Sequence, residues 1–84
     1  MKKYINTRVI RSICGDRCLV QAQSNRTYNW ETLADYPLSQ MSEAEADACN
    51  KAREFSRNVE GLVTAYNCGG YGIKGFINNE EYTR

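Results

Sequence analysis

Only one stretch of this chain has a helical period, and the segments on either side of it alternate. Ala48, Ala52, Phe55 and Val59 recur at spacings of four, three and four, which marks the apolar stripe of an amphipathic helix. Ser42 followed by Glu45 has the form of a capping box, and Glu43, Glu45 and Asp47 suit the positive end of a helix dipole. Gly61 closes the segment. At 84 residues the chain has room for one core, so residues 1–84 form a single domain. One helix among alternating segments predicts an α+β fold. We expect an antiparallel sheet of four to five strands, a meander before the helix and a hairpin after it, packed on one long helix.

The strand signals fix an expected register. Ile5, Thr7, Val9, Arg11 and Ile13 fall on one side of the first segment, and Tyr4, Asn6, Arg8, Ile10 and Ser12 on the other. With Gly15-Asp16 as a two-residue turn, Ile13 lies opposite Cys18, Arg11 opposite Val20 and Val9 opposite Ala22. That arrangement sets Arg8 among Gln21 and Gln23 on the second face. Ser24-Asn25-Arg26 is another turn signal, and Thr27 to Trp30 makes a short third strand. Residues 31–41 read as a helical turn ended by Pro37, then a connector. After the helix, Gly69-Gly70 predicts a tight hairpin with Cys68 opposite Tyr71, Tyr66 opposite Ile73 and Leu62 opposite Ile77, all facing inward. Lys74 and Phe76 then face outward, and Asn78 to Arg84 form a polar tail.

Charge is divided along the chain. Residues 1–26 carry Lys2, Lys3, Arg8, Arg11, Arg17 and Arg26 against the single acid Asp16. Residues 27–50 carry Glu31, Asp35, Glu43, Glu45 and Asp47 and no base. Opposed faces of this kind steer and orient partners. The formal net charge of +1 argues against indiscriminate binding to nucleic acid or membrane by the whole molecule. The expected partner surface is therefore acidic: Glu31, Asp35, Glu43, Glu45 and Asp47, with Tyr28, Trp30 and Tyr36 as exposed aromatic anchors. It suits a basic protein, such as one that binds nucleic acid.

Catalysis finds little material. The chain has no histidine, so acid–base work near neutrality would need a strongly shifted carboxylate, lysine or cysteine. Cys14 and Cys18 make one close pair, while Cys49 and Cys68 stand singly. A structural zinc site usually presents two close pairs. Buried thiols acting as small hydrophobes are the favoured reading, with zinc or a disulfide as alternatives. Gly70-Tyr71-Gly72-Ile73-Lys74-Gly75 spells a dinucleotide fingerprint, but a strand follows it rather than a helix, so turn and twist glycines explain it better. We expect no enzyme activity, no cofactor and no metal. The basic start, Met-Lys-Lys-Tyr, leads into no apolar stretch of signal-peptide length, so a cytoplasmic protein with reduced thiols is expected.

Two resemblances bear on function. Gly70-Tyr71-Gly72 and Lys74-Gly75-Phe76 partly resemble the aromatic ribonucleoprotein motif of RNA-recognition domains, which implies base stacking on Tyr71 and Phe76. The alternative to a protein partner is accordingly an RNA or single-stranded DNA module on the N-terminal hairpin, using Arg8, Arg11, Arg17, Arg26, Tyr71, Lys74 and Phe76. In size and economy the whole chain resembles the small inhibitors encoded by bacteriophages and other mobile elements, including anti-CRISPR proteins. That resemblance implies steric occlusion of a host macromolecule.

Overall fold

The computed structural model describes residues 4–56 and 63–78. Strands β1 (Tyr4–Arg11), β2 (Arg17–Ser24) and β3 (Trp30–Pro37) form a meander. A short 3-10 turn, Leu38–Gln40, leads into helix α1 (Met41–Phe55), and β4 (Thr64–Tyr66) and β5 (Gly72–Ile77) complete the fold. The five strands make one antiparallel sheet in the order β3-β2-β1-β5-β4, with the helix packed against it. The expected α+β architecture is therefore the observed one.

The core lies between the sheet and the helix. Val9, Cys18, Val20 and Phe76 from the sheet meet Ala44, Ala48 and Ala52 from α1. Three alanines spaced by four residues let the helix approach closely, because a methyl group keeps the two backbones less far apart than any larger side chain. Tyr4 and Phe55 fill the end of the layer, with ring centroids 4.6 Å apart. Val59 and Gly61, expected to extend and close the helix, lie outside the described residues, as do Leu62 and residues 79–84.

Several local expectations are corrected. The first hairpin pairs Arg11 with Cys18, Val9 with Val20 and Thr7 with Ala22, two residues off the expected register. A longer loop, Ser12 to Asp16, is held by Ser12 N–H on the Arg17 carbonyl (2.9 Å), Gly15 N–H on the Ser12 carbonyl (2.8 Å) and the Ser12 hydroxyl on Asp16 (3.3 Å). Gly15 takes a left-handed conformation there, with φ of 81°. A shift of two preserves which face each side chain occupies, so the core set survives, but Ile13 leaves the strand for the loop tip. Residues 31–36 form no helical turn. They belong to β3, where Ala34 pairs with Val20 and Tyr36 with Cys18, because an apolar edge alongside β2 outweighs weak local helix propensity. The capping box does not form either: Gln40 is the N-cap, and Ser42 already lies inside α1.

The last hairpin is the largest correction. Tyr66 pairs with Gly75 rather than Ile73, again two residues off, and Asn67 Oδ1 accepts the Gly69 N–H at 2.9 Å within a longer loop. Lys74 and Phe76 turn to the helix side and Tyr66 and Cys68 to the Gly75 side, while Ile73, beside a register shift, still packs against the core as expected. Phe76 is 5% exposed in the core, and Lys74 reaches Glu45 on the helix at 3.4 Å. The reason is volume. A Cβ at Gly75 would run into the Tyr66 ring and lie 2.7 Å from Cys68 Sγ, so the glycine face is already filled by those two side chains. The phenylalanine is left to fill the space under the alanine-lined helix.

Candidate functional site

Residues that alternate with the core positions of β1 and β2 form the sheet face turned away from α1. Arg8 lies near its centre. Its guanidinium stacks 3.8 Å from the Trp30 ring centroid, and its Nε donates to Gln21 Oε1 at 2.9 Å. Gln21 Nε2 continues to Thr32 Oγ1 at 3.1 Å, while Asn6 Nδ2 donates to Gln23 Oε1 at 3.0 Å and Gln23 Nε2 to the Tyr28 carbonyl at 3.1 Å. The face is thus a ladder of amides around a stacked cation. Burial pulls the Arg8 pKa down, with Cys68 and Tyr66 opposing the shift, and the group remains charged because a guanidinium does not deprotonate in proteins. Among the described residues no carboxylate pairs with Arg8.

Toward the tip of the first hairpin the face becomes apolar. Ile10, Ile13, Leu19 and Tyr71 line a groove of about 500 Å³, and a smaller hollow of about 220 Å³ beside it is bounded by Arg8, Cys68 and Tyr71. Tyr71 is 66% exposed, yet its backbone is tied down, its carbonyl accepting the Arg11 N–H at 2.8 Å. At the opposite end Tyr28 is 60% exposed and adopts a left-handed backbone, with φ of 61°. Such a conformation is unusual for a bulky residue and costs on the order of 1–3 kcal/mol. Its N–H bonds the Ser24 carbonyl at 2.9 Å, and the Ser24 hydroxyl accepts the Arg26 N–H at 3.1 Å, so the expected turn at Ser24 is present and holds the strained residue.

The acidic residues assemble differently from the expected bare patch. Asp35 pairs with Arg17 at 2.7 Å, Glu45 with Lys74 at 3.4 Å and Asp47 with Lys51 at 2.9 Å, while the Tyr4 hydroxyl donates to Glu31 at 3.0 Å. The exposed Arg17–Asp35 pair contributes little stability, but all three cations neutralise their carboxylates locally. Glu43 remains exposed on the first turn of α1. Of the expected anchors, Tyr28 is exposed. Trp30 is half-buried beneath Arg8, and Tyr36 is half-buried against the core with its hydroxyl donating to Asp47 at 2.8 Å. Of the basic set, Arg8 joins the open face with Tyr71, Arg17 is engaged by Asp35, Arg11 and Arg26 are exposed at opposite ends of the hairpin, and Lys74 and Phe76 belong to the helix side.

Tyr36 and Asp47 form a small titrating unit. Burial on its own would raise the Asp47 pKa, but hydrogen bonds from Lys51 and Tyr36 and the charge of Lys51 outweigh it and hold the carboxyl below its ordinary value. The bond to Asp47, reinforced by burial, raises the Tyr36 pKa. A depressed carboxyl stabilises the fold above its unfolded pKa of about 3.9, and that contribution disappears as pH falls through the lower folded value. Raised Tyr36 stabilises below about pH 10 and loses its contribution as pH climbs through the higher folded value. Tyr36→Phe is expected to cost about 1–2 kcal/mol near neutrality. In urea titrations across pH that penalty should shrink toward both extremes. A penalty independent of pH would rule out the bond as its source.

Neither Cys18 nor Cys68 is an activated nucleophile. Burial pushes the Cys18 and Cys68 pKa values up, with Arg11 and Arg8 respectively counteracting only part of the shift. Cys14 is exposed in the first loop and Cys18 fully buried, so that close pair is split between solvent and core. Among the described residues no three His, Cys, Asp or Glu side chains are grouped to hold a metal ion, and no helix is long and apolar enough to cross a membrane. No family model matches the chain, and comparison with curated proteins and with solved structures finds no match.

Proposed function

We propose that this chain is a non-enzymatic binding protein that acts by occluding a macromolecular partner, and that it docks through the helix-free face of its sheet. One observation carries the reading: Arg8, stacked on Trp30 and bonded to Gln21, pairs with no carboxylate among the described residues and lies on a face lined by amides and flanked by Tyr28 and Tyr71. Arginine and aromatic side chains of this kind supply most of the energy at binding surfaces. The acidic run is the weaker candidate, since Asp35, Glu45 and Asp47 already have cationic partners within the molecule. The resemblance in size and economy to mobile-element inhibitors, anti-CRISPR proteins among them, fits a protein whose work is to cover a site. A cytoplasmic setting, where thiols stay reduced, belongs to the same reading.

The test compares captured partners. Immobilised wild-type protein, Arg8→Ala, Tyr71→Ala and the helix-face variant Glu43→Lys are each exposed to the same bacterial lysate. The expected result is a bound macromolecule lost with Arg8→Ala and Tyr71→Ala and retained with Glu43→Lys. The reverse pattern would return the docking surface to the acidic end of α1 and overturn the assignment.

A further inference from the structure

We propose that a second copy of this chain closes the apolar groove at the tip of the first hairpin, making a two-fold dimer. Each copy places its Ile13 in the trough formed by Ile10, Leu19 and Tyr71 of the other. The dimer goes beyond the docking face described above. The hollow bounded by Arg8, Cys68 and Tyr71 lies beside the groove and stays open when the groove is filled.

Exposed apolar side chains are concentrated at this tip. Ile13 is 91% exposed and Tyr71 66%, and both border the same groove of about 500 Å³ with Ile10 and Leu19. Among the described residues Tyr28 is the one other large apolar side chain left so open.

The patch holds both halves of a contact. Ile13 projects from a loop that is fixed in advance. Ser12 N–H bonds the Arg17 carbonyl at 2.9 Å, Arg17 N–H the Ser12 hydroxyl at 3.3 Å and Gly15 N–H the Ser12 carbonyl at 2.8 Å. The trough is equally fixed, since Ile10 pairs with Leu19 across β1 and β2 and the Tyr71 carbonyl accepts the Arg11 N–H. A knob beside a trough on one surface suits an isologous contact, in which residue i of one copy meets residue j of the other and j meets i. Little further ordering of the chain opposes the association.

Charge at the lip of the groove selects the same partner. Asp16 and Arg17 both line it. Arg17 holds Asp35 through Nε at 2.7 Å, and its Nη groups have no hydrogen-bond partner among the described residues. Asp16 accepts the Ser12 hydroxyl at 3.3 Å and pairs with no cation among the described residues. A strongly acidic partner would be repelled by Asp16 and a strongly basic one by Arg17. A two-fold axis instead sets the Asp16 of each copy against the Arg17 of the other, so the lip is complementary to itself.

The experiment is sedimentation equilibrium of the whole chain under reducing conditions, from about 1 μM to 1 mM. An interface built on one groove per copy belongs to the small, transient class, so an affinity of micromolar order is expected. The mass should be that of two chains at the upper end and fall to one chain on dilution. Ile13→Asp should weaken the dimer at least about tenfold, because each dimer loses two buried isoleucines. Its side chain is 91% exposed in the single copy, so circular dichroism should show the variant folded. Asp16→Arg sets like charges against each other across the axis and should weaken the dimer at least about twofold. Glu43→Lys, on the exposed first turn of α1, should leave the affinity within about twofold of wild type. The proposal is overturned if the wild-type chain keeps the mass of one copy up to about 1 mM. It is equally overturned if folded Ile13→Asp or Asp16→Arg protein dimerises as tightly as wild type, or if Glu43→Lys dissociates the dimer as much as Ile13→Asp.

Discussion

Phe76→Ala is expected to destabilise the protein by roughly 3–5 kcal/mol, the range for truncating a core phenylalanine. A domain of 84 residues has a total stability of only about 4–13 kcal/mol, so the variant should sit near the limit of folding at room temperature. The ring is 5% exposed and belongs to the same cluster as Val9, Val20 and the alanines of α1. Removing it leaves a cavity that a helix lined by Ala44, Ala48 and Ala52 cannot fill, since those side chains have no length to extend inward. Urea unfolding followed by circular dichroism measures the loss, with Tyr71→Ala as the comparison. Tyr71 is 66% exposed five residues earlier, and its truncation should cost less than about 0.5 kcal/mol. A Phe76→Ala loss below about 1 kcal/mol would place the ring on the surface, restore the face assignment expected from the sequence alone, and remove the basis for the architecture of the C-terminal hairpin.

That hairpin shows where sequence reasoning stops. Alternation correctly separates Gly75 and Ile77 from Lys74 and Phe76, because side-chain direction follows from the period of an extended backbone. It does not say which set points inward. Tyr66, Ile73 and Ile77 make the more apolar face on paper, and only the third dimension shows that Gly75 leaves that face shallow enough to be covered by Tyr66 and Cys68. The first hairpin errs in register but not in face. Its longer loop is held by the Ser12 N–H on the Arg17 carbonyl and the Ser12 hydroxyl on Asp16, and an even slip leaves Val9, Cys18 and Val20 inside. The helix was legible because Ala48 and Ala52 repeat at a period no strand shares, while its start moved from Ser42 to Gln40 because a 3-10 turn after Pro37 leads directly into it. Strand β3 was hidden because Glu31 to Tyr36 carries no strict alternation, and a register shift at Gln21 disturbs what alternation there is.

The site was half legible. Arg8 among Gln21 and Gln23 follows from the face assignment, and the structure bonds Arg8 to Gln21. Trp30 beneath Arg8 does not follow, since the two residues are 22 apart in sequence and meet across two strand pairings. Nor does the loss of the acidic surface, because a run of carboxylates in sequence says nothing about which lysines and arginines fold beside it. Lys74 comes from an element distant in the chain from Glu45, and Arg17 meets Asp35 only through the pairing of β2 with β3. The charge division that dominates the sequence does not survive folding as two faces: α1 sets Lys51 and Arg53 among its acids, and β3 brings Asp35 against Arg17.

Asn78 ties the end of β5 to β1, and its replacement should be the second most damaging change. The side chain is fully buried; its Nδ2 donates to the Tyr4 carbonyl at 3.0 Å, and the Thr7 hydroxyl approaches its Oδ1 at 3.5 Å. Asn78→Leu leaves a buried carbonyl and a buried hydroxyl without that amide, at about 1–3 kcal/mol for each group orphaned. A total of roughly 2–4 kcal/mol is expected, the long Thr7 contact contributing the smaller share. The double variant Thr7→Val with Asn78→Leu separates the two parts. Replacing both members of a buried polar pair by apolar groups of similar shape can be nearly neutral, so the second substitution should recover the Thr7 share and leave the Tyr4 share unrecovered. Unfolding free energies of the wild type, both single variants and the double variant close the cycle. Strict additivity would mean that Thr7 and Asn78 act independently, leaving Asn78 to hold the sheet through the Tyr4 carbonyl alone.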